Sequence, residues 1–144
     1  MTIQLYTQSD AEDIAEQLRA QIVAFNQPFF EVKKRTPLAV AYASKTNEMQ
    51  GGASGVAFGN WFMLNWLWVD ERLRGQKIGQ QLLTEIEQQA AKLGCCYILL
   101  DTLDFQAKPF YEKCGYRVIH QLNQYPKVGV KYYMQKTLST NPSS

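Results

Sequence analysis

The first thirty residues contain one clear helical pattern. Apolar positions recur there every three or four residues, and Ser9-Asp10 precedes them as a capping signal. These positions are Ala11, Ile14, Ala15, Leu18, Ile22 and Phe25. The pattern predicts an amphipathic helix over residues 10–25, ended by Asn26-Gln27-Pro28. We also expect a short strand over Ile3–Tyr6 and a short turn over Phe29–Val32.

The pattern changes to that of strands between residues 38 and 69. Three runs of apolar and small residues cover 38–44, 51–58 and 62–69. Turn-forming residues separate the runs, at Asn47-Glu48 and at Gly59-Asn60. Because short turns join antiparallel neighbours, the sequence predicts a three-stranded antiparallel meander.

A second helical period begins after Val69. Its apolar positions are Ile78, Leu82, Leu83, Ile86, Ala90 and Leu93, and they predict a helix over 77–93 with Gly94 at its C-terminal cap. The continuous apolar run Tyr97–Leu100 predicts a strand buried on both faces. A strand, a helix and a second strand in this order predict a βαβ crossover with parallel strands. A short helix over 106–113 and strands over 116–122 and 131–138 follow.

Composition limits the class of protein. The 144 residues have the length of one domain, and 46% hydrophobic with 19% charged residues exclude a disordered chain. No apolar run is long enough to cross a bilayer, and the N-terminus lacks a signal-peptide pattern. We therefore expect one domain over 1–138, a frayed tail over 139–144, a cytoplasmic location and no membrane partner. A single histidine and no CxxC pair favour no metal site.

The charge is unevenly distributed. The formal net charge is only +2, but Arg72, Arg74 and Lys77 lie within six positions. A nucleic acid would be matched by a longer basic stripe, so a small anionic ligand is the better expectation.

The segment from Val69 to Gly79 joins a strand to the start of a helix. Helix-start amides lack intrahelical partners, and the helix dipole favours negative charge there. Gly75 and Gly79 let a ligand approach the backbone, and the three cations add full charges. The junction predicts a phosphate or pyrophosphate site.

Two motifs then indicate a family. Arg74-Gly75-Gln76-Lys77-Ile78-Gly79 resembles the signature R/Q-x-x-G-x-G/A of the GNAT superfamily of acetyl-CoA-dependent N-acetyltransferases, with Lys77 where the family usually has a glycine. Asp104-Phe105-Gln106-Ala107 and Phe110-Tyr111-Glu112-Lys113-Cys114-Gly115-Tyr116 resemble its later N-x-x-A and F-Y-x-K-x-G-F/Y features. Asp104 stands where asparagine is common.

The resemblance implies an α/β (α+β) fold with a mixed, mostly antiparallel sheet of six or seven strands, flanked by helices and containing a central parallel βαβ unit. It implies acetyl-CoA as co-substrate, with pantetheine paired to backbone at Leu67, Trp68 and Val69 and the pyrophosphate on the loop from Arg74 to Gln80. The cofactor-binding residues expected are Leu67, Trp68, Val69, Arg72, Arg74, Gly75, Gln76, Lys77, Ile78, Gly79, Gln80, Asp104, Gln106, Phe110 and Lys113.

The implied chemistry is direct transfer of acetyl to a primary amine in a ternary complex, without a covalent enzyme intermediate. Tyr111 is expected to protonate the leaving thiolate, and the Val69 amide to polarise the thioester carbonyl. No general base is assigned. The candidate carboxylates Asp70, Glu71 and Glu31 are better explained as solvated surface groups, and an amine that is already neutral needs no base.

The acceptor is expected opposite the cofactor. Candidate substrate-binding residues are Asn26, Phe29, Phe30, Glu31, Asn65 and Trp66, a set richer in aromatic than acidic groups. This favours a small amine with an apolar or aromatic body over a polycation, with a peptide or protein amine as the less favoured acceptor. GNAT resemblance and exposed strand edges favour a homodimer.

Two other classes of function stay open at this point. A non-catalytic module that senses acyl-CoA would fit the substitutions at Lys77 and Asp104. A nucleic-acid-binding domain would use the cations but leave the βαβ unit and the F-Y-x-K helix without a role.

Overall fold

The computed structural model describes residues 1–138, so the tail predicted over 139–144 lies outside the described residues. The chain folds as two compact units, residues 1–33 and the chain from residue 34 onward. The expectation of one domain over 1–138 stays a prediction. No helix among residues 1–138 is long and apolar enough to cross a membrane.

The first unit is helical. Helix α1 spans Gln8–Asn26, close to the predicted 10–25, and a 3-10 turn follows over Gln27–Phe29. Pro28 lies inside that turn, where its fixed φ suits the geometry and its missing N–H costs nothing. The predicted strand over Ile3–Tyr6 is wrong, because residues 1–7 have no regular secondary structure. Four alternating residues are too short a pattern to specify a strand without a pairing partner.

The second unit is built on a six-stranded sheet. The strands are β1 (Thr36–Ala43), β2 (Met49–Phe58), β3 (Trp61–Val69), β4 (Tyr97–Leu103), β5 (Arg117–Asn123) and β6 (Val130–Thr137). Their order across the sheet is β1-β2-β3-β4-β6-β5. All neighbours are antiparallel except β3 and β4, which are parallel. The predicted mixed, mostly antiparallel sheet is therefore confirmed, with six strands.

Helix α2 (Ile78–Lys92) connects the parallel pair and covers the sheet. Its apolar positions Leu83 and Ile86 are buried together with Phe62, Ile98 and Met134 from the strands. Gly94 follows the C-terminal cap residue Leu93 and has a φ of +95°, a left-handed conformation that favours glycine, and the Cys95 amide donates back to the Ala90 carbonyl at 3.1 Å. The crossover predicted from the sequence is confirmed.

The parallel strands pair over only three positions, from Trp61 opposite Tyr97 to Met63 opposite Leu99. Beyond them β3 runs on to Val69 and β4 to Leu103 without pairing to each other, so an opening forms between their carboxyl ends. In β3, Asn65 is an extra residue, because Ser54 pairs with Trp66 and Gly55 with Leu64. This β-bulge lies beside the opening.

Strand β4 differs from its prediction. Ile98, Leu100 and Thr102 are buried, but Tyr97 and Leu99 are half-buried and Asp101 is exposed. The strand is thus fully buried on one face only, since helix α2 covers the core face while the other is partly open. Helix α3 (Lys108–Lys113) follows β4 and carries Tyr111 back toward the core.

Candidate active site

The loop after β3 is fixed by its own charges. Asp70 caps the 3-10 turn Glu71–Leu73 by accepting the Arg72 amide at 2.9 Å, and the Arg72 guanidinium donates to the same carboxylate at 3.0 and 2.8 Å. These hydrogen bonds lower the pKa of Asp70 to about 2. Glu48 lies 3.5 Å from the same guanidinium. Arg72, predicted to bind the cofactor, therefore orders the loop.

The start of α2 shows why the family motif favours glycine here. Lys77 is the N-terminal cap of α2 and has φ 63° and ψ 20°, a left-handed conformation that glycine adopts without steric cost. Gly75 has φ +86°, and a Cβ placed on it would meet nothing within 4 Å. The backbone at Gly75 is consequently open to an incoming ligand.

A cavity of about 660 Å³ lies between this loop, the end of β3 and helix α3. Its size suits a small-molecule site. Twelve of the residues expected to touch the cofactor or its thioester line it: Leu67, Trp68, Val69, Arg74, Gly75, Lys77, Ile78, Gly79, Gln80, Gln106, Phe110 and Tyr111. This lining fits the phosphates of acetyl-CoA, because it combines the cations Arg74 and Lys77, the open backbone at Gly75 and the start of α2. We call this space the donor cavity.

Four expected cofactor residues do not line the donor cavity. Besides Arg72, Gln76 lies in the turn and donates its amide to the Leu73 carbonyl at 3.4 Å. Asp104 accepts the Val130 amide at 3.2 Å, so its carboxylate holds the start of β6. Lys113 lines a separate cavity of about 190 Å³. Their roles toward the cofactor stay predictions.

A second cavity, of about 290 Å³, adjoins the first. We call it the acceptor cavity. It is lined by Asn65 and Trp66, as predicted for the substrate site, and also by Asp101, Tyr125 and Lys131. The two cavities share four lining residues, Leu67, Gln106, Ala107 and Tyr111. They therefore meet along a wall that includes Tyr111.

Tyr111 is held in a buried position at this junction. Its side chain is 7% exposed, and its ring packs edge-on against Phe110 and Tyr116 at centroid distances of 5.3 and 5.7 Å. Burial raises the pKa of Tyr111 to about 12, with smaller contributions from Cys114 and Asp101. The phenol is thus protonated at neutral pH, the state that an acid must have before it reacts.

Sequence reasoning missed Asp101 and Lys131. Asp101 has a signal in the sequence, since it is the first charged residue after the apolar run Tyr97–Leu100. Lys131 has none, because it reaches the cavity only through the pairing of β6 with β4. Phe105 and Leu73 also line the donor cavity without having been predicted.

Four of the predicted substrate residues belong to the first unit. Asn26 is the last residue of α1, Phe29 ends the 3-10 turn, and Phe30 and Glu31 follow it. The Phe29 ring lies 5.7 Å from that of Phe25. A role for these four residues in acceptor binding stays a prediction.

Comparison with known proteins agrees with the geometry. The family model described as an acetyltransferase (GNAT) domain matches residues 35–118. The blasticidin-S acetyltransferase of Streptomyces morookaense is 30% identical over 112 residues, 77% of this chain and 82% of that protein. An acetyltransferase of Agrobacterium fabrum is 32% identical over 114 residues, 79% of this chain and 82% of that protein.

A solved structure of an acetyltransferase from Bacillus cereus is 28% identical. The structural match covers 95% of this chain and 97% of the Bacillus cereus chain, with a TM-score of 0.84. Its fold therefore matches nearly the whole chain. The matched family model, the relatives and the paired cavities lead to one conclusion: the chain belongs to the GNAT family and is an acetyl-CoA-dependent acyltransferase.

Proposed function

We propose that the protein transfers acetyl directly from acetyl-CoA to the amine of a small molecule. The observation that carries the proposal is the meeting of two cavities at one buried, protonated phenol, Tyr111. The name of the Streptomyces relative, which refers to blasticidin-S, supports a small-molecule acceptor over a peptide or protein amine. The size of the acceptor cavity, about 290 Å³, supports it as well.

The residues around the junction can divide the chemistry among them. The neutral amine attacks the thioester carbonyl carbon, a C–N bond forms, and the C–S bond breaks. Tyr111 gives its phenolic proton to the leaving sulfur, and the proton lost by the amine passes to Asp101 and then restores the phenol. The products are an amide and the free thiol of CoA. We retain the Val69 amide as the proposed donor to the carbonyl oxygen, since Val69 lines the donor cavity at the end of β3.

Asp101 is the carboxylate that suits the role of base. Of the described residues that line the acceptor cavity, Asp101 is the one with a carboxylate. Its charge contributes to the raised pKa of Tyr111. Asp70 is bound by Arg72 instead. Glu71 is exposed in the 3-10 turn and lines neither the donor nor the acceptor cavity.

The test is release of free thiol from acetyl-CoA with a panel of amines. Tyr111→Phe should lower kcat by about 100-fold or more and leave the Kd for acetyl-CoA within about twofold. Tyr116→Phe is the matched control, because it removes the neighbouring buried phenol, whose hydroxyl donates to Glu87 at 2.8 Å and which lines neither cavity. Unchanged kcat in Tyr111→Phe would refute its role. Binding of acetyl-CoA without turnover of any amine would support a sensor.

Two further parts of the proposal concern assembly and location. We propose a homodimer, supported by β1 and β5 forming the open edges of the sheet. A monomeric mass by light scattering at micromolar concentration would contradict it.

A cytoplasmic location is supported by the unbridged thiols of Cys95 and Cys114, which suit a reducing compartment. Fractionation of cells that express the tagged protein would test it.

A further inference from the structure

The acceptor cavity has one positive and one negative side chain. Of the residues lining it between 1 and 138, Asp101 and Lys131 are the two that are ionised. They come from neighbouring antiparallel strands: Asp101 pairs with Tyr133, and Lys131 pairs with Leu103. Paired residues share a sheet face, and so do residues two apart, so both charges lie on the same face.

The two charges attract each other only loosely. The Lys131 Nζ lies 3.8 Å from Asp101 Oδ1, longer than a charge-assisted hydrogen bond. The Asp101 side chain is 53% exposed. The Lys131 ammonium also lies over the rings of Tyr125 and Tyr133, 5.1 and 5.4 Å from their centroids. Burial lowers the pKa of Lys131, but Asp101 and the two tyrosines together raise it above its usual value, so the ammonium stays charged.

The balance of charge selects among acceptor classes. A polycation would bring extra positive charge against Lys131 with only one carboxylate to meet it. A plain monoamine would use Asp101 and leave the Lys131 ammonium without a new partner. An acceptor with an amine and a carboxylate would exchange one long ion pair for two short ones.

From this pair we infer that the acceptor is an amino acid or an amino-acid-like compound, whose amine lies beside Asp101 and Tyr111 and whose carboxylate binds Lys131. The inference rests on the proposed function and gives its acceptor class. A carboxylate one or two carbons from the amine fits the 3.8 Å separation of the two charges. Trp66 and Tyr125, on the wall of the same cavity, offer aromatic surface to a side chain.

The test compares acceptors that differ only by the carboxylate. The pairs are phenylalanine with phenethylamine and β-alanine with ethylamine, each measured by thiol release at saturating acetyl-CoA and over a range of pH that corrects for amine ionisation. We expect the carboxylated member to have a kcat/KM at least about tenfold higher, as a charged hydrogen bond to Lys131 would give. Equal rates, or faster turnover of the decarboxylated amines, would overturn the inference.

Variants identify the residue responsible. Lys131→Met should lower the ratio of kcat/KM for the carboxylated acceptors to kcat/KM for the decarboxylated amines about tenfold or more, and Lys131→Arg should keep most of the preference. Lys108→Met is the matched control, because Lys108 also lies over a tyrosine ring, Tyr132 at 5.1 Å, and lines neither cavity. It should leave the preference intact. An equal loss for both acceptor types in Lys131→Met would overturn the inference.

The outcomes separate this inference from the proposed function. Turnover of other amines but not of amino acids would refute the acceptor class and leave the proposed function standing. No thiol release with any amine, while acetyl-CoA binds, would refute both.

Discussion

Lys77 provides a test of how the family motif works, because its backbone and its charge can be changed separately. Its φ of 63° places an L-residue in the left-handed region at the start of α2. That conformation costs an L-residue roughly 1–2 kcal/mol and costs glycine nothing. Glycine also gives the unfolded chain more conformational entropy, which lowers the free energy of unfolding by about 0.4–1 kcal/mol. Lys77→Gly should therefore unfold with a free energy about 0.5 to 1 kcal/mol higher than Lys77→Ala.

The same two variants lose the same charge. Lys77 and Arg74 line the donor cavity together, so each variant leaves Arg74 as the remaining cation there among the described residues. Loss of one exposed cation beside a phosphate is worth about 1 kcal/mol, so the Kd for acetyl-CoA should rise about fivefold in both. The increase should shrink as salt screens the interaction.

Urea denaturation and isothermal titration calorimetry measure the two effects on the same samples. If Lys77→Gly were no more stable than Lys77→Ala, the positive φ would not be a source of strain. If Lys77→Gly bound acetyl-CoA as tightly as the wild type while Lys77→Ala did not, the lysine charge would have no part in binding and the glycine backbone would explain the motif alone.

Three further predictions use other parts of the second unit. The folded pKa of Tyr111, about 12, lies above its usual value near 10, so its contribution to stability is present below pH 10 and is lost as pH rises through 12. Tyr111→Phe should remove this loss, up to about 3 kcal/mol, from the pH dependence of the free energy of unfolding measured in urea titrations. Gly55→Ala should lower the free energy of unfolding by about 3 kcal/mol, since its Cβ would lie 2.1 Å from the Met63 carbonyl oxygen, and an unchanged denaturation midpoint would contradict this. Gly79→Ala should keep acetyl-CoA affinity within about threefold, because its Cβ would meet Phe110 at an ordinary 3.5 Å, whereas calorimetry should show that Gly79→Asp abolishes binding through repulsion of phosphate.

Local patterns were enough to predict most of the elements. The stripe at Ile78, Leu82 and Ile86 identifies α2 because a 3.6-residue period and a buried face coincide there. The prediction of a strand over Ile3–Tyr6 is wrong because an alternating pattern of four residues does not specify a pairing partner. The residues expected to bind phosphate could be proposed for the same reason as α2, since Arg74, Gly75 and Gly79 are close together in the sequence.

The acceptor cavity could not be predicted in the same way. Asp101 and Lys131 are thirty positions apart and meet because β6 lies between β4 and β5 in a particular register. Strand order and register depend on tertiary packing, which a single sequence does not display. Arg72 shows the converse: its charge was visible in the sequence, but its engagement by Asp70 and Glu48 was not.

The bulge at Asn65 makes the shape of the donor cavity depend on how many residues β3 contains. Before the bulge, Phe62 and Leu64 face the core; after it, Leu67 and Val69 share that face, since they pair with Ala53 and Gly51. Deletion of Asn65 would remove the bulge and leave Leu67 and Val69 on the core face, but insertion of one more residue there, with the bulge kept, would shift the alternation and turn the indoles of Trp66 and Trp68 toward α2 in their place. The binding space would then be filled by the protein's own side chains, so a one-residue insertion beside Asn65 should be far less tolerated than either a substitution or a deletion at Asn65 itself.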